Sequence, residues 1–512
     1  MVAGPERNLF FPASCAIILI TFGLYYPTAG FWPEPWAEQA LNFFETALSK
    51  PFWIALSEPD YGYLPLVPRL ISLALVQGLH CTTNFPKVSQ YVVLLLVSVS
   101  LAYVNLHRFR SVISSDKWRF LLSLAWAALI DREALTYVNF SYILVFFLIC
   151  NLWDLHEDRS WPAAICTGLA GALIFMSKAL IIAFLPWTGM SFLVALRRSR
   201  PKYMMITFIF MTGGMIQLLF AALHRQGHDL RADENTLHIV RDALKMFFDI
   251  AHTALGHVIP GDYWPTLVFY SLPVLLIGGT FFKLRTKPDQ LLAAFGILAT
   301  ALCQCLIIAA TRIPDQQNFS WLAISQFKVE KLSLVAYGSF FYMALLPSGA
   351  VAKLILLILS TANAFIPFIG PSRDYYSSQE LQHSDWGIYR RLIEVDAFCI
   401  PVNPYPTWWY HHCRALGRAT KVLVPDRDGI TFSIPDAPPV LGVWLRSNAS
   451  ITAVEGQFAQ TPAPPRVAAT KLVSQRAIGQ YFIFDQPKSF HSLIIQGSGL
   501  QLIEEITILV RD

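Results

Sequence analysis

The chain has 512 residues, of which 54% are hydrophobic and only 14% charged, and its mean hydropathy is +0.46. That composition is too apolar for an ordinary soluble enzyme of this length. The net charge of +5 reflects basic loops beside apolar runs and gives no indication of nucleic-acid binding.

Runs near the roughly 20 apolar residues that cross a bilayer are predicted at 12–30, 88–106, 120–131, 142–153, 162–180, 181–196, 203–223, 264–282, 290–310, 333–348 and 353–369. They predict an all-α polytopic membrane protein of about eleven transmembrane helices. The runs at 120–131 and 142–153 are short, and fit a tilted span, a span extended into its flanks or a hairpin packed inside protein. Before the first run stands only Arg7 as a basic residue, and no small-residue cleavage site follows. This predicts a retained anchor.

Orientation follows from the basic residues. With the N-terminus inside, the three densest basic loops fall on the cytoplasmic side: Arg108, Arg110, Lys117 and Arg119; Arg197, Arg198, Arg200 and Lys202; and Lys283, Arg285 and Lys287. The count works only if residues 64–80 do not cross. They are therefore predicted to lie along the outer interface or to tuck into the protein.

Four stretches are long enough to act outside the membrane: 31–87, 132–141, 224–262 and the tail from Pro371. In the third, Thr236 to Phe248 repeats apolar residues at helical spacing and predicts an interfacial helix. Its five histidines lack any compact metal-ligand pattern. A polar connector at 371–396 separates a membrane domain, 1–370, from a β-rich domain at 397–512. The β assignment rests on short apolar or alternating runs at 421–424, 440–445, 481–484, 492–495 and 506–510, divided by Gly, Pro, Asp and Asn. Cys399 and Cys413 fall in this outward tail, where a bridge and two free thiols fit equally. The other six cysteines, in or near apolar runs, read as small core residues.

Candidate site residues concentrate where the first loop meets the membrane. Glu34 and Glu38 are four apart and share one face if a helix starts at Pro35. Asp60 precedes Gly62-Tyr63-Leu64-Pro65, and Arg69 stands one turn into the next helix among Leu66, Val67, Leu70 and Ile71. A carboxylate that deprotonates a hydroxyl needs a nearby cation to hold the leaving group. The plainer reading is a solvated loop whose two glutamates favour a helix N-terminus. The second outer turn carries Asp131, Arg132, Glu133 and Asn139, which either approach the first loop or mark where the chain enters water. Lys178, in an apolar run, is costly unless it snorkels or is used. Lys328 and Lys331, three apart, suit an anionic group at the membrane surface or simple solvation.

The stretch Gly62-Tyr63-Leu64-Pro65-Leu66-Val67-Pro68-Arg69-Leu70, the turn from Glu133 to Tyr142, and Cys399-Ile400-Pro401-Val402-Asn403-Pro404 resemble C-type membrane glycosyltransferases, which take sugars from polyprenyl-phosphate donors. The resemblance implies transfer to a cell-envelope glycan or lipid on the outer face of a bacterial inner membrane. It implies an N-terminus in the cytoplasm and a β domain in the periplasm or outside the cell. Under it, Glu38 or Glu34 is the base, Arg69 holds the donor phosphate with Lys328 and Lys331 assisting, and Asp60, Asp131, Arg132, Glu133 and Asn139 support them. The acidic pair usual in such loops has no clear counterpart here. A divalent metal is used by some relatives, and no ligand pattern for one is present. The competing classes are a transporter or flippase of lipid-linked glycans and an inactive glycan-binding relative.

Overall fold

A computed structural model describes residues 9–25, 39–82, 84–128, 130, 133–154, 159–224, 237–244, 246–247 and most of 274–312, together with the strands of the tail and a few residues flanking them. Most of the run at 264–282, the runs at 333–348 and 353–369, and the connector lie outside the described residues. By compactness the chain divides into two units. The first comprises 1–30, 52–71 and 89–373, and the second 31–51, 72–88 and 374–512.

The main helices are α1 Phe10–Tyr25, α2 Leu66–Leu73, α3 Phe85–Ala102, α4 Asp116–Ala128, α5 Val145–Trp153, α6 Trp161–Phe175, α7 Leu185–Arg197, α8 Pro201–Leu223 and α9 Pro288–Arg312. Four helical stretches among the described residues are long and apolar enough to cross a membrane: Phe85–Asn105, Ala179–Arg197, Pro201–Leu223 and Pro288–Ala310. Each coincides with a predicted span. Their outward faces carry bare apolar side chains, such as Leu193 and Leu196 on α7 and Phe208, Met215 and Leu219 on α8. Such faces need lipid against them. The protein is therefore a helical membrane protein with a small C-terminal β region.

The remaining predicted runs that are described form shorter helices. The run at 142–153 becomes α5, whose residues are almost all buried, so this short run is enclosed by protein. Residues 64–80 supply α2, continued by Ala74–Gly78, and bury Arg69, Leu73, Leu75 and Val76. That fits a helix tucked into the protein. Residues 237–244 are helical as predicted; Ala243, Met246 and Phe247 are buried while Leu237, Val240 and Leu244 are exposed.

Polar contacts inside the apolar bundle fix its neighbours. Asn105 donates to the hydroxyls of Ser14 on α1 (2.9 Å) and Ser123 on α4 (3.0 Å), and those two hydroxyls are 2.9 Å apart. A hydrogen bond has few rivals in a lipid-facing bundle, so this knot sets the register of three elements. Helices α6 and α8 run side by side in the same direction and meet through glycines. A Cβ on Gly213 would come within 2.7 Å of the Ala172 backbone, and one on Gly171 within 2.0 Å of the Phe210 ring. Backbone cannot yield as a side chain can, so Gly213→Val is expected to destabilise the protein by more than the ~1–3 kcal/mol typical of overpacking. The loss should show as a clear drop in the midpoint of thermal or denaturant unfolding in detergent, with Gly278→Ala, where the added atom meets open space, as the neutral control.

The bundle has a basic end. Arg198, just past α7, pairs with Asp289 at the start of α9, joining two of the basic loops. Tyr203, in the first turn of α8, donates to the Leu152 carbonyl at 2.9 Å, which brings the Arg200 loop to the end of α5. Asp116 accepts from Arg110 (2.8 and 2.5 Å) and from buried Arg119, and these bonds, led by Arg110, hold its carboxyl down to about 2.

In the second unit, the β region is antiparallel throughout. Its strands are β1 Ile400–Val402, β2 Trp408–Tyr410, β3 Cys413–Ala419, β4 Ile430–Ser433, β5 Pro439–Ser447, β6 Ser450–Gln457, β7 Arg466–Ala468, β8 Thr470–Leu472, β9 Gly479–Ser489, β10 Ser492–Ser498 and β11 Ile503–Arg511. One sheet has the order β4-β10-β6-β7 and another β3-β11-β5-β9-β8, with β1-β2 as a small ribbon. The two larger sheets share one core: Ile430, Val454, Leu493 and Ile495 from the first, and Val443, Leu445, Phe482 and Phe484 from the second. This is sandwich packing. Within the same unit, Gln77 donates to the carbonyls of Ala47 and Lys50 (both 2.8 Å), and the Phe44 and Phe85 rings lie 4.8 Å apart.

Candidate functional site

The first-loop segment Glu58 to Arg69 is built on a two-residue hairpin. Asp60 and Tyr63 exchange both backbone hydrogen bonds (2.9 and 3.1 Å), with Tyr61 at φ 47° and Gly62 at φ 82° between them. Positive φ at both central residues is the turn geometry that matches strand twist, and the glycine adopts it without steric cost. Paired residues of a hairpin present their side chains on the same face. The Tyr63 hydroxyl accordingly donates to Asp60 Oδ2 at 2.7 Å.

The segment after the hairpin is bound to the bundle on three sides. Gln217 of α8 spans Leu64, accepting from its N–H and donating to its carbonyl at 3.2 Å each. The Leu66 N–H donates to the Met176 carbonyl (2.8 Å) and the Val67 N–H to the Ser177 hydroxyl (3.3 Å), both just past α6. The Tyr137 hydroxyl, from the turn at 132–141, donates to the Pro68 carbonyl at 2.5 Å. The second turn thus meets the first loop, one of the two readings of that turn.

Lys178 closes the arrangement. Its ammonium is buried, donates to the Tyr63 hydroxyl oxygen at 2.6 Å, and stands over the rings of Tyr63 (4.8 Å) and Tyr142 (5.4 Å). It does not snorkel. The result is a chain from ammonium to phenol to carboxylate, with Asp60 only 2% exposed. Arg69, 1% exposed, donates to the Glu58 carbonyl at 3.4 Å. Burial pulls the Arg69 guanidinium below its ordinary value, while the Asp60 and Glu58 carboxylates act in the opposite direction. Two cations and their acidic partners are therefore held together at one end of an apolar bundle, where an unpaired charge would be costly.

This end lies opposite the basic one. Arg159 immediately precedes α6 and Lys178 follows it, and a helix of 15 residues separates its ends by about 22 Å.

Of the residues singled out in the sequence, Asp60, Arg69 and the turn holding Asn139 come together. Asn139 is buried and donates to the Thr136 hydroxyl at 3.1 Å. For Glu133 the backbone is described, in the short helical turn Glu133–Leu135. Glu34, Glu38, Asp131, Arg132, Lys328 and Lys331 lie outside the described residues, as does Cys399. Tyr63, Gln217 and the pairing of Lys178 were not foreseen. The one available signal was Lys178 itself, a lysine alone in an apolar run. Among the described residues, no group of three His, Cys, Asp or Glu side chains is placed to hold a metal ion.

Comparisons with protein-family models, with curated proteins and with solved structures return no match.

Proposed function

We propose that this protein is a membrane glycosyltransferase that moves a sugar from a polyprenyl-phosphate donor to a cell-envelope glycan or lipid on the outer face of a bacterial inner membrane. The observation that carries the reading is the buried Lys178–Tyr63–Asp60 chain beside Arg69. It stands at the end of the bundle away from the basic loops, the end that faces outward if basic loops stay inside. Charged groups kept at membrane depth mark a functional site by default.

In the reaction, the acceptor oxygen attacks the anomeric carbon, the bond from that carbon to the phosphate oxygen breaks, and the acceptor proton passes to a base. Arg69 and Lys178 supply positive potential toward the phosphate as it leaves. Asp60 is committed to Tyr63 and nearly inaccessible, so its part is to fix the cations. The base is then Glu38 or Glu34, which precede this segment in the same loop. A divalent metal, if used, would share the work of neutralising the phosphate.

The full chain in lipid bilayers, given labelled polyprenyl-phosphate sugars and envelope glycans, is expected to yield labelled glycan. Movement of lipid-linked sugar across the vesicle with no covalent product would assign the chain to transport and remove the enzyme reading.

A further inference from the structure

The basic end of the bundle holds a second buried polar cluster that the proposed reaction does not use. Arg159 directly precedes α6 and is 8% exposed. Its Nη2 pairs with Asp154 Oδ2 at 3.2 Å, and Asp154 is itself 1% exposed. The other two nitrogens, Nε and Nη1, are buried and without a hydrogen-bond partner among the described residues. Arg108 faces the same place from the loop after α3. Its guanidinium lies over the rings of Tyr103 (4.6 Å) and Phe109 (4.8 Å), and it donates to the Tyr103 hydroxyl and to Asn151 Oδ1 at 3.5 Å. Its Nε is likewise buried and without a partner among the described residues.

The two arginines feel each other. Burial first, and then the charge of Arg159, pull the Arg108 guanidinium down to about 10, against the opposing pull of Asp154. Like charges are not normally gathered in a partly dry site with donors unfilled. His156, Glu157 and Asp158 lie outside the described residues. Among the described residues two guanidiniums thus face one carboxylate, leaving a single positive charge and three buried nitrogens whose N–H groups lack an acceptor.

We infer that Arg108 and Arg159 bind a monoanionic phosphate group at the basic end of the bundle. One phosphate oxyanion offers the acceptors that the planar forks lack and balances the remaining charge. The first turn of α6, capped by Ser160, which accepts from the Ala163 N–H at 3.4 Å, adds a favourable helix end. Arg108 is half-buried and Arg159 deep, so the anion enters past Arg108 and seats on Arg159. The same chemistry belongs to a phospholipid headgroup, which is a phosphodiester, and to dihydrogen phosphate in solution.

The test uses the full chain in neutral detergent, read by thermal unfolding and native mass spectrometry at constant ionic strength. One arm titrates sodium phosphate against sodium chloride. The other adds phosphatidylglycerol to phosphatidylcholine micelles. Retained phosphatidylglycerol with no response to inorganic phosphate identifies a headgroup site, and the reverse identifies a soluble phosphate; either supports the inference. Arg159→Lys keeps a charge beside Asp154, and Arg108→Gln removes a half-exposed like charge, so both variants should fold. Each is expected to weaken binding about tenfold or more. Arg241→Gln, on an exposed residue paired with Asp242, should bind as wild type. No binding of either probe by the wild type overturns the inference, as does undiminished binding by both Arg159→Lys and Arg108→Gln.

Discussion

Lys178→Met is expected to destabilise the protein by roughly 3–5 kcal/mol, the range for breaking a buried ionic contact by deleting one partner, and to reduce sugar transfer at least about a hundredfold. The substitution nearly preserves volume, so packing is little disturbed. What is lost is the 2.6 Å donation to Tyr63 and the positive charge beside the phenol that holds Asp60. With Lys178 gone, the Asp60 carboxylate stays 2% exposed with less positive charge to offset it. Tyr63→Phe should cost less, because both charges persist while the phenol's hydrogen bonds to Lys178 and Asp60 vanish. The sharper measurement is the double variant Lys178→Met/Asp60→Asn. If the chain is one electrostatic unit, its unfolding midpoint lies above that expected from adding the two single losses. Strict additivity, or a Lys178→Met protein that melts and turns over as wild type, would dismiss the network.

The parts of this arrangement that depend on local pattern were legible, and those that depend on distant pairing were not. Four predicted spans coincide with long helices because an apolar run of bilayer length has few other uses. The expectation that residues 64–80 tuck into the protein came from the distribution of arginines and lysines, and the burial of Arg69 among apolar neighbours fits it. Lys178 was conspicuous, but its partner Tyr63 lies 115 residues away in sequence, and nothing local links them. Gln217 was invisible for the same reason, being 153 residues from Leu64. In the tail, strands β5, β9, β10 and β11 each contain a predicted run. Strands β3 and β6 were missed because Cys413–Ala419 and Ser450–Gln457 are made largely of small and polar residues. Their strand character comes from the neighbours that pair with them.

Replacing Arg69 with Ala should reduce sugar transfer by about 10²–10³-fold, the cost of deleting one preorganised group that stabilises transition-state charge. Part of that loss is structural, and the two parts are separable. Arg69 is 1% exposed and donates to the Glu58 carbonyl, so Arg69→Ala leaves a cavity, loosens the turn before Asp60, and removes a charge that Asp60 and Glu58 favour. Arg69→Met fills the space without the charge and should recover much of the unfolding midpoint while turnover stays low. Arg69→Lys returns the charge without the planar fork and should recover only part of the turnover. A group that meets the donor phosphate changes both the KM for the lipid-linked sugar and kcat, and it changes them even where the unfolding midpoint is restored. Should Arg69→Met be as active as wild type once its stability is recovered, Arg69 is a packing residue and the phosphate partner is Lys178 or a lysine of the 312–331 segment. Should Arg69→Lys match wild type in both constants, a point charge suffices and two-pronged recognition of the phosphate is excluded.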